Sequence, residues 1–252
     1  MDSELYTIGL YVLFGGAAVI FPFLFFVTAP YGRHSRPGWG PVIPARLGWV
    51  VMELPSPLCF AWLYFSGDYW DEPVRLALFA LFMSHYVYRS LIYPFRMRGS
   101  TKTKPFLTVM MAILFNIVNG SLNGWAIGHL GTHLDAGWLV DPRFIIGAGL
   151  FILGAWINLR SDAILRNLKR PPDGSYVVPQ EGLHRHVASP NYFGEIIEWL
   201  GFAIAAWTLP AFGFLAFTIA NLAPRARSHQ QWYRQTFLDY PRERKALIPK
   251  VW

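Results

Sequence analysis

The chain has 252 residues, of which 54% are hydrophobic, 17% aromatic and only 15% charged. A soluble protein of that composition would expose large apolar patches, so lipid is its natural solvent. The formal net charge of +7 is confined to alternate loops, which argues against a nucleic-acid partner, and the single cysteine, Cys59, excludes an intrachain disulfide or a thiolate metal site.

Apolar stretches near the length needed to cross a bilayer fall at 7–29, 46–65, 74–95, 106–128, 144–164, 192–209 and 211–223. The chain begins Met1-Asp2-Ser3-Glu4, acidic where a signal peptide is basic, and the apolar run behind it is too long for cleavage, so it counts as the first span. The last two stretches are short, and Leu209-Pro210 marks them as a tight helical hairpin. The expected fold is therefore all-α, a multi-pass membrane bundle of about seven helices forming a single domain.

Lysine and arginine set the orientation. Arg33, Arg36 and Arg46 fall between spans one and two, and Arg96, Arg98, Lys102 and Lys104 between three and four. Arg160, Arg166, Lys169, Arg170 and Arg185 follow span five, and seven more, from Arg225 to Lys250, lie in the tail. The other side carries only Arg75 and Arg143 beside acidic residues such as Asp68, Asp71 and Asp141. That pattern places the N-terminus outside and the C-terminus in the cytosol. A bacterial inner membrane and an endoplasmic reticulum share this sign rule, so the pattern selects neither, and oligomeric state is not legible.

Ionisable groups inside spans are costly and are candidates for function. Glu53 lies within span two, in Trp49-Val-Val-Met52-Glu53-Leu-Pro55-Ser-Pro57, where the prolines are expected to break the helix just behind it. A buried carboxyl satisfied by one partner would read the same way. Span three carries His85, Tyr86, Tyr88, Arg89 and Tyr93; Tyr86, Arg89 and Tyr93 at i, i+3 and i+7 would share one helix face, either as a site or as an interfacial aromatic belt. In span four, Gly120, Gly124 and Gly128 recur every fourth position, the mark of close helix packing, with Asn119 and Asn123 interleaved. Asn158, Asp162, Arg166 and Lys169 line the end of span five, as a salt-bridged helix end or as a mixture suited to ribose and phosphate. Span six begins at Pro190-Asn191 and brings Asn191, Glu195 and Glu198 onto one stripe, two carboxylates that are hard to excuse structurally. The tail interleaves arginine with His229, Trp232, Tyr233 and Tyr240, as an amphipathic surface helix would. His129 and His133 lack an evident third ligand, so no metal is expected, and Gly147-Ala-Gly149 follows no strand, so no soluble dinucleotide-binding domain is expected.

Taken together, Glu53-Leu54-Pro55-Ser56, His85-Tyr86 with Arg89 and Tyr93, Asn158 with Asp162, Asn191 through Trp199, and Lys245-Ala-Leu-Ile-Pro249 resemble the steroid 5α-reductase family, from about Tyr31 to the C-terminus. The resemblance implies NADPH bound from the cytosolic side and a lipophilic enone, such as a 3-oxo-Δ4-steroid, entering from the membrane. By the same resemblance Glu53 and Tyr86 hold the substrate carbonyl, and Trp49 and Met52 flank the substrate. Asn158, Asp162, Arg166, Lys169, Tyr176, Asn191, Glu195, Arg225, His229 and Tyr233 surround the cofactor, joined by Tyr31, Arg89 and Tyr93. Residues 1–130 would then form mainly the carbonyl-binding half and 131–252 mainly the cofactor half. Lys169 stands where relatives often carry arginine, and Met52 where they carry a polar residue. The C-terminal half is also similar to isoprenylcysteine carboxyl methyltransferases, which use S-adenosylmethionine; the Glu-Leu-Pro-Ser and His-Tyr pieces favour reduction. A polyprenal or a long-chain enoyl thioester would suit the same chemistry, and a non-enzymatic seven-span receptor or transporter would need no such carboxyls.

The chemistry implied is hydride addition to C5 of the enone, which places negative charge on the carbonyl oxygen, where Tyr86 and a protonated Glu53 would serve as donors. The proton that C4 then needs has no evident source.

Overall fold

The computed structural model describes residues 1–97, 102–169, 171 and 175–252; Arg98 and Arg170 lie outside them. Among the described residues nearly all regular structure is helical: α1 Ser3–Phe26, α2 Ala45–Glu53, α3 Pro55–Phe65, α4 Pro73–Val87, α5 Tyr93–Arg96, α6 Phe106–Trp125, α7 Pro142–Asn167, α8 Pro190–Ala206 and α9 Leu209–Thr236. Two three-residue strands, β1 Val42–Pro44 and β2 Thr103–Pro105, pair antiparallel with Ile43 opposite Lys104. Five helical stretches are long and apolar enough to cross a membrane: Ser3–Phe26, Ala45–Phe65, Pro73–Arg96, Phe106–Leu130 and Pro142–Asn167. Their outward residues, including Tyr11, Phe26, Trp62, Ile152 and Trp156, are large, apolar and exposed, as lipid-facing positions are.

Local chemistry explains several helix starts. Asp2 caps α1 by accepting the amide of Leu5 at 2.8 Å, and Asp141 caps α7 by accepting that of Arg143 at 2.8 Å, with Pro142 behind it where no amide hydrogen is required. Pro190 opens α8 at the expected place.

Four expectations need correction. The hinge between the last two helices lies at Trp207 and Thr208, with Trp207 left-handed (φ 49°), whereas Leu209-Pro210 already forms the first turn of α9, a position that suits proline. Helix α9 does not stop near residue 223; it continues through Pro224 to Thr236, so the first part of the basic tail extends the last helix. The prolines after Glu53 do not break the helical path. Leu54 stays in the right-handed region and donates to Val50 O at 3.0 Å, and Leu58 donates to Leu54 O at 3.3 Å. Finally, Tyr86, Arg89 and Tyr93 do not sit on one regular helix, because a π turn at Tyr88–Ile92 adds a residue between them, with the Tyr93 amide donating to Tyr88 O. Pro94 follows two residues after its end, and a proline ring disfavours an ordinary turn ahead of it.

Glycine lets the helices touch backbone to backbone. A Cβ at Gly120 would fall on Ser56 O and one at Gly124 on Phe60 O, so the small-residue stripe of α6 lies against α3. The same device joins α7 to α8, where a Cβ at Gly154 would meet Glu198 N and one at Gly194 would lie 2.5 Å from Asn158 N. Aromatic side chains fill the interior behind these contacts, with Phe60, Phe82, Trp199 and Phe202 fully buried.

Gly154→Ala pushes a methyl group into backbone that cannot yield and should cost about 1–3 kcal/mol, whereas Gly149→Ala, with open space around its Cβ, should be neutral or slightly stabilising; thermal denaturation in detergent separates the two. His184, buried behind α7, donates through Nε2 to Ser161 O at 3.3 Å. Burial holds its pKa down to about 4 from the ordinary 6.5, with the hydrogen bond to Ser161 opposing and the charges of Arg244 and Arg33 adding to the effect. The unfolded chain therefore takes up this proton first, and the stabilisation is complete above pH 6.5 and lost as pH falls toward 4. His184→Gln should flatten the fall in melting temperature across that window; an unchanged slope would contradict the assignment.

Candidate functional site

Helices α1, α2, α4, α6 and α9 enclose a cavity of about 320 Å³. Its walls are mostly apolar, with Phe23 and Leu24 from α1, Met111 and Phe115 from α6, and Phe217 from α9. One end is polar and gathers Glu53, Tyr86, Arg89, Lys104, Asn116 and Glu195. Tyr31, Trp49 and Met52 line the same space. A second hollow, of about 470 Å³, lies between α4 and α7 and shares His85 and Arg89 with the first.

The polar end is a connected network. The Tyr86 hydroxyl accepts from Asn119 Nδ2 at 3.0 Å and donates to Asn116 Oδ1 across a long 3.4 Å. Asn116 Nδ2 donates to Met52 O at 2.6 Å and lies 3.5 Å from Glu53 Oε2. Glu53, which is 9% exposed, also has Arg89 Nη2 at 3.7 Å from its Oε1. Glu53 therefore faces a cation as well as a phenol, where the sequence pairs it with Tyr86 as an uncharged carboxyl alone. Arg89 is in turn stacked over the rings of Trp49 and Tyr93, at 4.9 and 5.4 Å.

On the far side of Arg89, α7 and α8 present a second polar ladder. Asn158 Nδ2 donates to Asn191 O at 3.0 Å and to Glu195 Oε2 at 3.3 Å, and Asn191 Nδ2 donates to Asp162 Oδ1 at 3.0 Å. Arg166 reaches across to the Tyr88 hydroxyl at 3.5 Å. Lys169 does not join this face. The chain turns away at Leu168 (ψ 125°), and Lys169 is exposed, with no hydrogen bond or ion pair among the described residues.

The segment between α1 and α2 and the end of α9 close the site. Arg225 donates to Tyr192 Oη at 3.1 Å, to Ala29 O at 3.2 Å and to Tyr31 O at 3.0 Å, and it lies 3.6 Å above the Tyr31 ring. His229 Nδ1 meets Ser189 Oγ at 3.2 Å and its ring stacks on His34 at 5.3 Å. Burial pushes the His34 pKa down to about 4, aided by the charges of Arg225, Arg33 and Arg36. Tyr176, Trp232 and Tyr233 form an aromatic shelf beneath Arg33, at 5.3, 4.7 and 4.7 Å. Tyr233 itself is 2% exposed and stacked on Tyr240.

Several participants are invisible in the sequence. Asn116 and Lys104 carry no motif of their own, and Arg33 reads there only as a loop cation. Glu198 has a partner that the sequence does not reveal: its Oε1 pairs with His85 Nδ1 at 2.8 Å, both nearly buried, so one of the two carboxylates of α8 is engaged by an imidazole. The His85-Tyr86 pair is the available signal, since a buried imidazole needs a partner. His129 and His133 are engaged by Leu63 O and Ala206 O, at 3.1 and 3.0 Å.

With the site laid out, comparison with known proteins is specific. The profile of the 3-oxo-5-alpha-steroid 4-dehydrogenase family matches residues 102–252. The chain is 42% identical over 233 residues to steroid 5-alpha-reductase DET2 of Gossypium hirsutum, covering 91% of this chain and 90% of that one. It is 45% identical over 222 residues to 3-oxo-5-alpha-steroid 4-dehydrogenase 1 of Macaca fascicularis (87% and 83% covered) and 44% identical over 222 residues to that of Homo sapiens (87% and 85%).

The different settings of the two carboxylates of α8 are testable without any ligand. Glu198→Ala strands a buried imidazole and should cost about 2 kcal/mol or more, whereas Glu195→Ala, which loses one long hydrogen bond and one of the charges facing Arg89 while Glu53 and Asp162 still face it, should cost less, about 1 kcal/mol. Melting temperatures of the two variants in one detergent should differ by several degrees, with Glu198→Ala the lower.

Proposed function

This chain belongs to the 3-oxo-5-alpha-steroid 4-dehydrogenase family, and from that premise we propose that it reduces the Δ4 double bond of 3-oxo-Δ4-steroids to 5α-steroids with NADPH, as an integral membrane oxidoreductase acting on a CH–CH group. The observation that carries the reading is the cavity of about 320 Å³ whose mostly apolar lining includes Glu53 and Tyr86. A rigid lipophilic ring system suits the apolar walls, and a single carbonyl suits the polar end. The names of the relatives favour a steroid over a polyprenal or an enoyl thioester.

The residues around the second ladder suit a nicotinamide dinucleotide phosphate. Arg33 Nη1 and His34 Nε2 are buried without a hydrogen-bond partner among the described residues, beside the shelf of Tyr176, Trp232 and Tyr233 and the fixed guanidinium of Arg225. Cations suit phosphates, a carboxylate such as Asp162 suits ribose hydroxyls, and flat rings suit a base. NADPH would thus be held by Tyr31, Arg89, Tyr93, Asn158, Asp162, Arg166, Tyr176, Asn191, Glu195, Arg225, His229 and Tyr233. Lys169, exposed just beyond the end of α7, stands outside that shell. When bound there, NADPH supplies the hydride.

The chain's own groups do the rest. Tyr86 donates to the carbonyl oxygen, exchanging its long bond to Asn116 for a shorter one as negative charge develops, while Asn119 keeps the phenol in place. Glu53 completes the oxygen's surroundings, either as a donor or by holding Arg89 close to it. Such preorganised donors lower a barrier by about 3 kcal/mol each. Trp49 and Met52 set the ring's position over this end, and the apolar walls exclude water.

The membrane arrangement accords with the same reading. Helix α8 and the first half of α9 join the five long apolar stretches as spans six and seven, with the N-terminus outside and the basic C-terminal segment in the cytosol, where NADPH is available. Residues 1–252 act as one domain, residues 1–130 supplying mainly the carbonyl end and 131–252 mainly the cofactor shell. The membrane environment is the substrate's source.

Glu53→Ala should reduce steroid turnover by about 100-fold or more while leaving NADPH affinity within about twofold, because Glu53 lies at the carbonyl end. Asp162→Ala should do the reverse and weaken NADPH binding by about tenfold. Product mass spectrometry with progesterone and NADPH, together with fluorescence titration of the cofactor, reads both. A Glu53→Ala enzyme of full activity removes the assignment.

A further inference from the structure

Lys104 has a role that topology alone does not explain. It occupies the middle of β2, opposite Ile43, and the ribbon turns its side chain inward until only 7% is exposed. The Nζ lies 3.8 Å from the centroid of the Trp49 ring, 5.0 Å from that of Tyr31 and 3.7 Å from Met52 Sδ. Among the described residues it has no oxygen acceptor. A buried ammonium with only a thioether and ring faces around it is poorly compensated, and this one lines the same cavity as Glu53 and Tyr86.

The reduction needs a proton at the α-carbon, and the other polar groups that line the cavity are committed or are by type weak acids at neutral pH, among them the Tyr31 phenol, the Thr218 hydroxyl, the Asn221 amide and the Thr108 hydroxyl, which donates to Pro105 O. Glu53 and Tyr86 serve the carbonyl oxygen. The Asn116 amide is not an acid, Arg89 does not release its proton at any working pH, His85 is bound to Glu198, and Glu195 accepts from Asn158. Resting on the reading that the cavity takes a conjugated enone, we propose that Lys104 is a further catalytic residue, the donor of the proton that reaches the α-carbon of the substrate.

The β-carbon accepts hydride supplied by a reduced nicotinamide, and the π electrons of the C=C bond move into an enolate on the carbonyl oxygen. One N–H bond of the Nζ ammonium then breaks, its electron pair remaining on nitrogen. A C–H bond forms at the α-carbon with the enolate pair, and the carbonyl is restored. The neutral amine recovers its proton from water. Burial lowers the Lys104 pKa to about 7, the Glu53 carboxylate opposing this and the charges of Arg89 and Arg225 adding to it. An acid of that strength is matched to proton transfer near neutral pH.

The test uses the full chain in detergent. In wild type, kcat for a 3-oxo-4-ene steroid should fall as pH rises through about 7, as the donor form is lost. Lys104→Met and Lys104→Arg should both lose about 100-fold in kcat while binding NADPH within about twofold of wild type. Arginine keeps the charge but not the labile proton, so wild-type kcat in Lys104→Arg would show a merely electrostatic role and overturn the proposal; should Lys104→Met not fold, the arginine variant decides alone. Trace acetylation with acetic anhydride, coupled to mass spectrometry across pH in the absence of substrate, reads the ionisation of Lys104 directly. A midpoint near 7 supports the proposal, and one near 10 overturns it. Wild type that reduces no such steroid at any pH sinks the reductase reading instead, and the acetylation midpoint remains a separate result.

Discussion

Asn116 is the bond on which the site hangs. Through one amide it holds the Met52 carbonyl at 2.6 Å and approaches the Glu53 carboxyl at 3.5 Å, and through its oxygen it accepts the Tyr86 hydroxyl at 3.4 Å. Three helices, α2, α4 and α6, are thereby tied at the depth where polar groups have no water to turn to. A buried polar cluster of this kind is stable only when every member has a partner, and the result is a fixed arrangement of donors. The hydrogen bond to Tyr86 is the long one in the set, so the phenol is positioned by Asn119 and yet able to turn its proton toward a ligand oxygen.

Glycine contact and the π turn serve that arrangement from outside. Backbone-to-backbone approach of α6 on α3 and of α8 on α7 removes the slack that larger side chains would introduce, so the asparagines of α6 and the carboxylates of α8 arrive at fixed heights. The π turn at Tyr88–Ile92 then re-aims Tyr93 and the rest of α5. Arg89, within that turn, stands between the cavity and the ladder of Asn158, Asp162, Asn191 and Glu195, stacked on Trp49 and Tyr93 and close to Glu53. A guanidinium in that place links the two polar clusters electrostatically, since Glu53 on one side and Glu195 and Asp162 on the other all act on it in a medium that screens charge weakly.

The segment between α1 and α2 contributes more than its length suggests. Tyr31, Arg33 and His34 come from a stretch with little regular structure, yet Arg225 pins its backbone at Ala29 and Tyr31, and the aromatic shelf of Tyr176, Trp232 and Tyr233 supports Arg33. The β1–β2 ribbon carries Lys104 in from the other side. Loops held by a rigid frame are where binding groups gather, and here the frame is the end of α9.

Much of this was legible in the linear sequence because its causes are local. Apolar length identified the five stretches long enough to cross a membrane, Pro190 marked the start of α8, and the Gly120, Gly124, Gly128 repeat announced a packed face. Glu53, Tyr86 and Asn158 with Asp162 and Asn191 stood out as polar residues in costly places, and the structure brings them to two adjoining polar clusters. What the sequence could not reveal depends on who meets whom across space. No periodicity joins Glu198 to His85, Lys104 to Trp49, or Asn116 to both Met52 and Tyr86, because each pair is separated by dozens of residues and meets only when helices pack. The same applies to local geometry under tertiary control: the π turn ahead of Pro94, the continued helix through Pro55 and the departure of Lys169 from the α7 face. Composition and pattern determined a membrane bundle with polar groups at its centre; the packed structure alone decided which of those groups satisfy one another and which are left to face a ligand.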